Sequence, residues 1–515
     1  MRINPKTAFR IAIGIAAIAY VAYSQWHKPE AAKTGDSKVL APVEKVDVSR
    51  KLGRLVFRPC SLANGAETLS AFCSSLDVPE NHAEPNGRKI RLALAWLPAT
   101  KQAEPDPIFM LAGGPGQGAR ESFPQIAQAF DEARKTRHII LLDQRGTGDS
   151  NPLKCEDSKG NSAVVDDEDY STASAVEFAA RCAKQFADKN DVRQFSTADA
   201  IIDLDLVRQA IGAQKINLMG ISYGTRVAQQ YAKKFPQNTR TVTIDGIAPL
   251  DVVLGQEHAK NLENSLDLQF AQCRKDKACL DKLGNPRDQL NQLMATLAKG
   301  PIPVHYRDAT TGEWKDGQFS AGHVAMLTRM LAYVPQIASL LPLQFSEANK
   351  GHPESLMALS EMINRDVSGQ IMHGMQLSVM CGEDVPDLVI DPADKDRLLG
   401  TGLVELMQAQ CAVWPHKTRP ADFRTPLKSD LPVLILSGEF DPVTPPNYGD
   451  RVAKYLPNSK HIVAKGQGHN VLPVGCMPKL FAKFLESADA KHLDDTCIKT
   501  LTYAPMFTGL NGWEP

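Results

Sequence analysis

The chain has 515 residues, of which 43% are hydrophobic and 23% charged, the balance of a core-forming globular protein. That length suits one large domain with an insertion, or two to three domains. Lysine plus arginine (58) nearly equals aspartate plus glutamate (59), which excludes a strongly basic or acidic chain and leaves nothing that favours nucleic acid or a strongly charged partner.

Met1 to Arg10 carries Arg2, Lys6 and Arg10, and the following run, Ile11 to Tyr23, carries no charge. A basic start before a short apolar stretch is the pattern of a secretory signal, and Ala22 and Ser24 put small residues where a signal peptidase reads. The run is short for a spanning helix, but Arg10 can snorkel and extend it. Residues 1–24 therefore read as a cleaved signal peptide or an uncleaved anchor, the one segment through which the chain would meet a membrane. Residues 25–48 read as a polar linker. The expected location is exported: periplasmic or secreted, or tethered by that segment.

The ten cysteines fit an oxidising compartment: Cys60, Cys73, Cys155, Cys182, Cys273, Cys279, Cys381, Cys411, Cys476 and Cys497. No metal-type C-x-x-C pair occurs, so disulfides are expected and no metal or other cofactor is. The cysteines fall into sequential couples, and the expected pairing is 60–73, 155–182, 273–279, 381–411 and 476–497, although spacing alone does not fix connectivity.

Residues 88–98, "RKIRLALAWLP", alternate as a half-buried strand does. "DPIFMLAGGPGQG" (106–118) and "RHIILLDQRGTGDS" (137–150) are apolar strands running into glycine-bearing turns. Strands without polar alternation signal a sheet covered on both faces. Residues 151–198 read as a polar excursion whose acidic run at 166–169 is a solvated face. Residues 197–213 have helical spacing, with Thr197 as N-cap and Gly212 as terminator. A strand ("KINLMG"), a helix from about Tyr223 closed by Pro236, and a buried strand within 239–249 follow. This is a doubly wound, mostly parallel α/β core over 49–250. From 251 to 425 amphipathic helical stretches replace buried strands, as in a helical cap or lid. The core resumes over 426–515, with strands inside 431–446 and 459–470 and a covering helix at 476–487.

Within this order Gly220-Ile221-Ser222-Tyr223-Gly224 has the strand–turn–helix setting of a nucleophile elbow, with small residues on both sides of the serine. A serine hydroxyl needs a base. Among twelve histidines, His469 in "GQGHN" follows the last expected strand on a glycine-flanked loop. Asp441 in "GEFDPVTP" is the carboxylate expected to orient it, with Glu439 the nearest rival. The order serine, aspartate, histidine is that of α/β-hydrolases. The oxyanion donors expected are the N–H groups of Tyr223 and of Gly114 in "GGPGQG", where glycines let the backbone approach a substrate.

"AGGPGQGA", "LLDQRGTGDS", "GISYGT", "IDGIAP", "GEFDPVTP" and "GQGH" together resemble α/β-hydrolase serine peptidases of the tripeptidyl aminopeptidase and proline iminopeptidase type, over roughly 50–250 and 425–500. The secreted tripeptidyl aminopeptidase branch is most similar in length, export signal, cap and cysteine content. The resemblance implies an α/β-hydrolase core with its cap between the nucleophile half and the Asp/His half, peptide substrates, and cleavage near a free N-terminus. It also implies cap carboxylates that hold the substrate's α-amino group, for which Glu383 and Asp384 in "MCGEDVP" are the candidates. Asp143 and Arg145 are expected to be structural. One departure is Ala112, where the family often has histidine. An exported esterase or lipase with the same triad is the alternative. A non-catalytic binding protein on the same scaffold is a third reading, which the intact serine, aspartate and histidine argue against.

Overall fold

The structure is a computed structural model, and its described residues are 48–65, 67–156, 171–509 and 512. The signal or anchor segment, the linker up to residue 47 and the acidic run at 166–169 lie outside them. Among the described residues no helix is long and apolar enough to cross a membrane.

Six short strands form the parallel part of the sheet: β5 (Ile108–Leu111), β6 (Ile139–Leu142), β7 (Ile216–Ile221), β8 (Thr239–Asp245), β11 (Val433–Gly438) and β12 (Ser459–Ala464). They pair in parallel in the spatial order β6-β5-β7-β8-β11-β12. Four earlier strands extend the sheet antiparallel beyond β6: β1 (Arg50–Leu52), β2 (Leu55–Asn64), β3 (Glu67–Pro79) and β4 (Lys89–Leu97). The apolar runs noted above have a direct cause. Ile108 and Met110 pack on one face with Ile139, Leu141 and Met219, while Phe109 and Leu111 pack on the other with Ile140, Leu142 and Leu218. Both faces are core, so neither set of alternate residues can be polar. Helices α1 (Thr172–Phe186), α2 (Thr197–Ala210) and α3 (Tyr223–Lys234) lie in the crossovers.

Helix α1 sits where the sequence reads as an excursion; Ser171 caps it by accepting the Ser174 N–H. Helix α2 is capped by Ser196, which accepts the Asp199 N–H, and not by Thr197. Thr197 is engaged elsewhere, as described below.

Between β8 and β11 the chain is mostly helical, including α4 (His258–Lys275), α5 (Ala321–Ala332) and α6 (His373–Glu383). It also contains an antiparallel hairpin, β9 (Ile302–Arg307) with β10 (Trp314–Phe319), that the helical expectation omits. Leu266, Phe270, Leu293, Val324, Leu331 and Phe345 form a hydrophobic cluster belonging to this insertion alone. Disulfides join Cys60–Cys73, Cys155–Cys182, Cys273–Cys279, Cys381–Cys411 and Cys476–Cys497, the sequential pairing.

Candidate active site

Parallel strands deliver their following loops to one edge of a sheet. The loops after β5, β7, β8, β11 and β12 therefore converge. Ser222 lies between β7 and α3 with φ 55° and ψ −123°, a conformation that a non-glycine residue adopts only under constraint. The constraint is visible. The Ser222 N–H donates to the Asp245 carbonyl at 2.9 Å, and the Thr225 N–H and hydroxyl both donate to the Ser222 carbonyl. A Cβ on Gly220 would run into the Gly224 carbonyl, and one on Gly224 into the Leu111 carbonyl, so both glycines are required for packing. The Tyr223 N–H opens α3 and is one of the donors a helix start leaves without an intrahelical acceptor.

His469 Nδ1 and Asp441 Oδ2 are 2.7 Å apart, and both side chains are buried. Asp441 is itself fixed: its Oδ1 accepts the Val443 and Thr444 N–H groups, and its Oδ2 accepts the Thr444 hydroxyl at 2.8 Å. Glu439, the rival, instead accepts the Gly466 N–H and the Tyr503 hydroxyl. A Cβ on Gly246 would lie 2.6 Å from His469 Cε1, so the residue after the Ser222 acceptor lies against the imidazole. His469 Nε2 is buried without a protein partner, which leaves it free for a proton in transit. Burial works to lower the His469 pKa, but the Asp441 carboxylate, by charge and hydrogen bond, and the nearby Asp245 outweigh it and raise the value above that of ordinary imidazole.

The glycine-rich loop comes close to the serine: a Cβ on Gly113 would stand 3.2 Å from Ser222 Cβ. Gly114, the expected donor, is the next residue, with φ 105°. From the other side the insertion closes on these loops. The Met372 N–H donates to the Gly116 carbonyl, and the His469 N–H donates to the Tyr333 carbonyl, each at 2.9 Å.

A second Ser–His–Asp set exists. Ser437 Oγ is 2.9 Å from His461 Nε2, whose Nδ1 is 2.9 Å from Asp450. Ser437 is fully buried inside β11, and Gly449 packs on the His461 ring, so no substrate can reach the hydroxyl. The Ser–His contact is closed only in this second set, since His469 Nε2 has no protein partner, so strain and access, not the hydrogen-bond pattern, favour Ser222.

Residues 106–277 match the family described as alpha/beta hydrolase fold, and residues 397–497 the family described as TAP-like protein. Serine protease Hip1 of Mycobacterium tuberculosis (strain ATCC 25618 / H37Rv) is 27% identical over 475 residues, covering 84% of this chain and 89% of that protein. The tripeptidyl aminopeptidase of Streptomyces lividans is 28% identical over 193 residues, covering 34% of this chain and 35% of that protein. Carboxylesterase B of M. tuberculosis (strain CDC 1551 / Oshkosh) is 28% identical over 312 residues, covering 55% of this chain and 57% of that protein. The chain is similar to TAP-like α/β-hydrolase serine peptidases. It is a serine hydrolase.

Two expectations carried over from the TAP-like resemblance need correction. Asp384 cannot hold a substrate amine. It is fully buried, Arg226 binds it at 2.6 Å, and Arg424 and the Leu254 N–H take its other oxygen. Glu383 is also buried; its oxygens accept the Thr197 N–H at 2.7 Å and the Thr197 hydroxyl at 2.8 Å. The same hydroxyl is 2.6 Å from the Tyr223 hydroxyl, which also accepts from Gln144. Burial, offset only in part by Arg226, pushes the Glu383 carboxyl up to about 7. Glu383 thus supports the elbow from behind. The motif "MCGEDVP" was legible, but an acidic pair in a sequence does not reveal which arginine consumes it.

Asp143 and Arg145 are structural, as expected. Asp143 accepts the Arg120 and Asp149 N–H groups, and Arg145 clamps Asp203 and the carbonyls of Glu80 and Gln194. The reading of the sequence missed Asp245, Thr444 and Tyr333. Asp245 had a signal: it is the acidic end of an otherwise uncharged buried run, "TVTID". Tyr333 had none, since it ends a helix in the insertion with no motif around it.

Proposed function

We propose that this chain is an exported serine exopeptidase that hydrolyses peptide bonds near the free N-terminus of peptides, with the helical insertion as a cap over the site. Ser222 Oγ attacks the carbonyl as His469 Nε2 takes its proton, and Asp441 orients the imidazole and stabilises its cationic form. The N–H groups of Tyr223 and Gly114 receive the oxyanion. His469 returns the proton to the leaving amine, and water releases the acyl fragment. The observation that carries the reading is the strained Ser222 held through Asp245 against the residue that packs on an Asp441-bound histidine. Likeness to a serine protease over most of the chain and to a tripeptidyl aminopeptidase over a third of it supports peptides as substrates. Five disulfides support export.

The test has two steps. A fluorophosphonate should label the folded protein and not Ser222→Ala; failure to label overturns the mechanism. Tripeptide p-nitroanilides with free and acetylated N-termini then decide the substrate. Equal rates on both would remove the exopeptidase claim, and turnover of p-nitrophenyl esters alone would favour the esterase reading that the carboxylesterase relative keeps open.

A further inference from the structure

Helix α5 runs into Tyr333, the cap residue that touches the base. Its ring meets the His469 ring edge-on, with centroids 5.2 Å apart at 76°. Tyr333 keeps helical angles (φ −61°, ψ −29°). Arg329, four positions earlier, therefore stands on the same face one turn back. Its guanidinium lies beside the Tyr333 hydroxyl, and its charge also reaches His258 at the start of α4. Both of those neighbours also feel Asp441, so this group of side chains borders the site.

Arg329 is partly buried. The other arginines of the insertion each donate to an oxygen: Arg274, Arg287, Arg307, Arg365, Arg397, Arg419 and Arg424. Among the described residues Arg329 alone of this set has no carboxylate or carbonyl partner. His258 does not compete for an anion: burial, the largest influence, and then the Arg329 charge lower its pKa to about 3, so it is neutral.

Position gives the direction of binding. His469 protonates the leaving amine, so groups stacked beyond the imidazole flank the leaving fragment. A guanidinium there is a two-pronged receptor for a carboxylate and repels an ammonium. We infer that Arg329 binds a carboxylate on the leaving fragment, within the first residues beyond the scissile bond. The inference rests on the serine peptidase reading and specifies its substrates as peptides with an anionic group just past the cut. That group is either the free C-terminal carboxylate of a short peptide or an acidic side chain.

The test uses the whole disulfide-bonded protein and four tetrapeptides: Ala-Ala-Ala-Ala as free acid and as amide, and the amides of Ala-Ala-Ala-Glu and Ala-Ala-Ala-Gln. Cleavage is followed by mass spectrometry. The expected result is a preference of about tenfold or more in kcat/KM for an anionic peptide over its neutral partner, expressed mainly in KM. Arg329→Gln should bring that ratio close to one, and Arg329→Lys should restore part of it. Preference in the first pair assigns the C-terminal carboxylate, and in the second the side chain. Fluorophosphonate labelling of each variant certifies its fold. Equal rates within both pairs for the wild type, or a preference that survives Arg329→Gln, overturns the inference and leaves the peptidase reading standing. No cleavage of any of the four overturns both.

Discussion

Asp245 joins the two halves of the site. Its carbonyl accepts the Ser222 N–H, and its carboxylate accepts the N–H groups of Val471 and Leu472, at 2.7 to 3.0 Å, just past His469. Complete burial, against those hydrogen bonds, pushes its carboxyl up to about 6. Asp245→Asn keeps the backbone bond but loses the charge and part of the grip on the histidine loop. We expect kcat to fall about tenfold with little change in KM, because misplacing the base affects the chemistry more than binding. The sign of the pH effect follows from His469. Its folded pKa is raised, activity needs the neutral imidazole, and the acid limb of kcat/KM therefore lies above the ordinary histidine value. Removing the Asp245 charge should move that limb to lower pH, by less than about one unit. A pH–rate profile that does not move would reduce Asp245 to packing. Asp441→Asn should shift the limb in the same direction and reduce kcat by about 10³–10⁴, since it also removes the partner that fixes the tautomer.

At the scale of elements, the parallel strands were readable because burial on both faces leaves an unmistakable apolar run, as in "IFML" and "IILL". Strands β2 and β3 were not, because much of their length is exposed at the antiparallel end of the sheet and their polar residues look like loop. The β9–β10 hairpin was hidden for the same reason, with only every second residue of "IPVHYR" facing inward. The residues of the proposed triad were legible because each follows a readable strand; the partners from the insertion were not, because their places depend on how α5 docks. That docking is testable at Gly468. A Cβ there would run into the Tyr333 carbonyl and stand 2.8 Å from Pro335 Cδ. Gly468→Ala should push the end of α5 off the histidine loop, slow fluorophosphonate labelling by about tenfold or more, and destabilise by about 1–3 kcal/mol. Labelling at the wild-type rate with an unchanged melting temperature would mean that α5 can shift without disturbing the base.

On the scale of the whole molecule, the covalent cross-links and the site are separate systems. The disulfides close loops of 6 to 30 residues, and each has both cysteines on the same side of the boundary between core and insertion. Cap and core are therefore held together by non-covalent contacts, among them the Met372–Gly116 and His469–Tyr333 backbone bonds, Asn261 donating to Val443, and Ser265 donating to Phe440. The last two grip the loop that carries Asp441. None of the ten cysteines is a hydrogen-bond partner of Ser222, Asp441 or His469. Reduction should thus act on stability and spare the chemistry. Short-loop disulfides contribute about 2–4 kcal/mol each by restricting the unfolded chain. Spread over a protein of this size, five of them should lower Tm by roughly 10 °C or more. The rate of fluorophosphonate labelling at 25 °C should stay within about twofold while the reduced protein remains folded. Thermal melts and labelling with and without a phosphine reductant test both halves. A large loss of labelling in protein that is still folded would mean that a disulfide such as Cys381–Cys411, two residues from Glu383, shapes the elbow directly; an unchanged Tm would mean that the core and cap clusters alone set the stability.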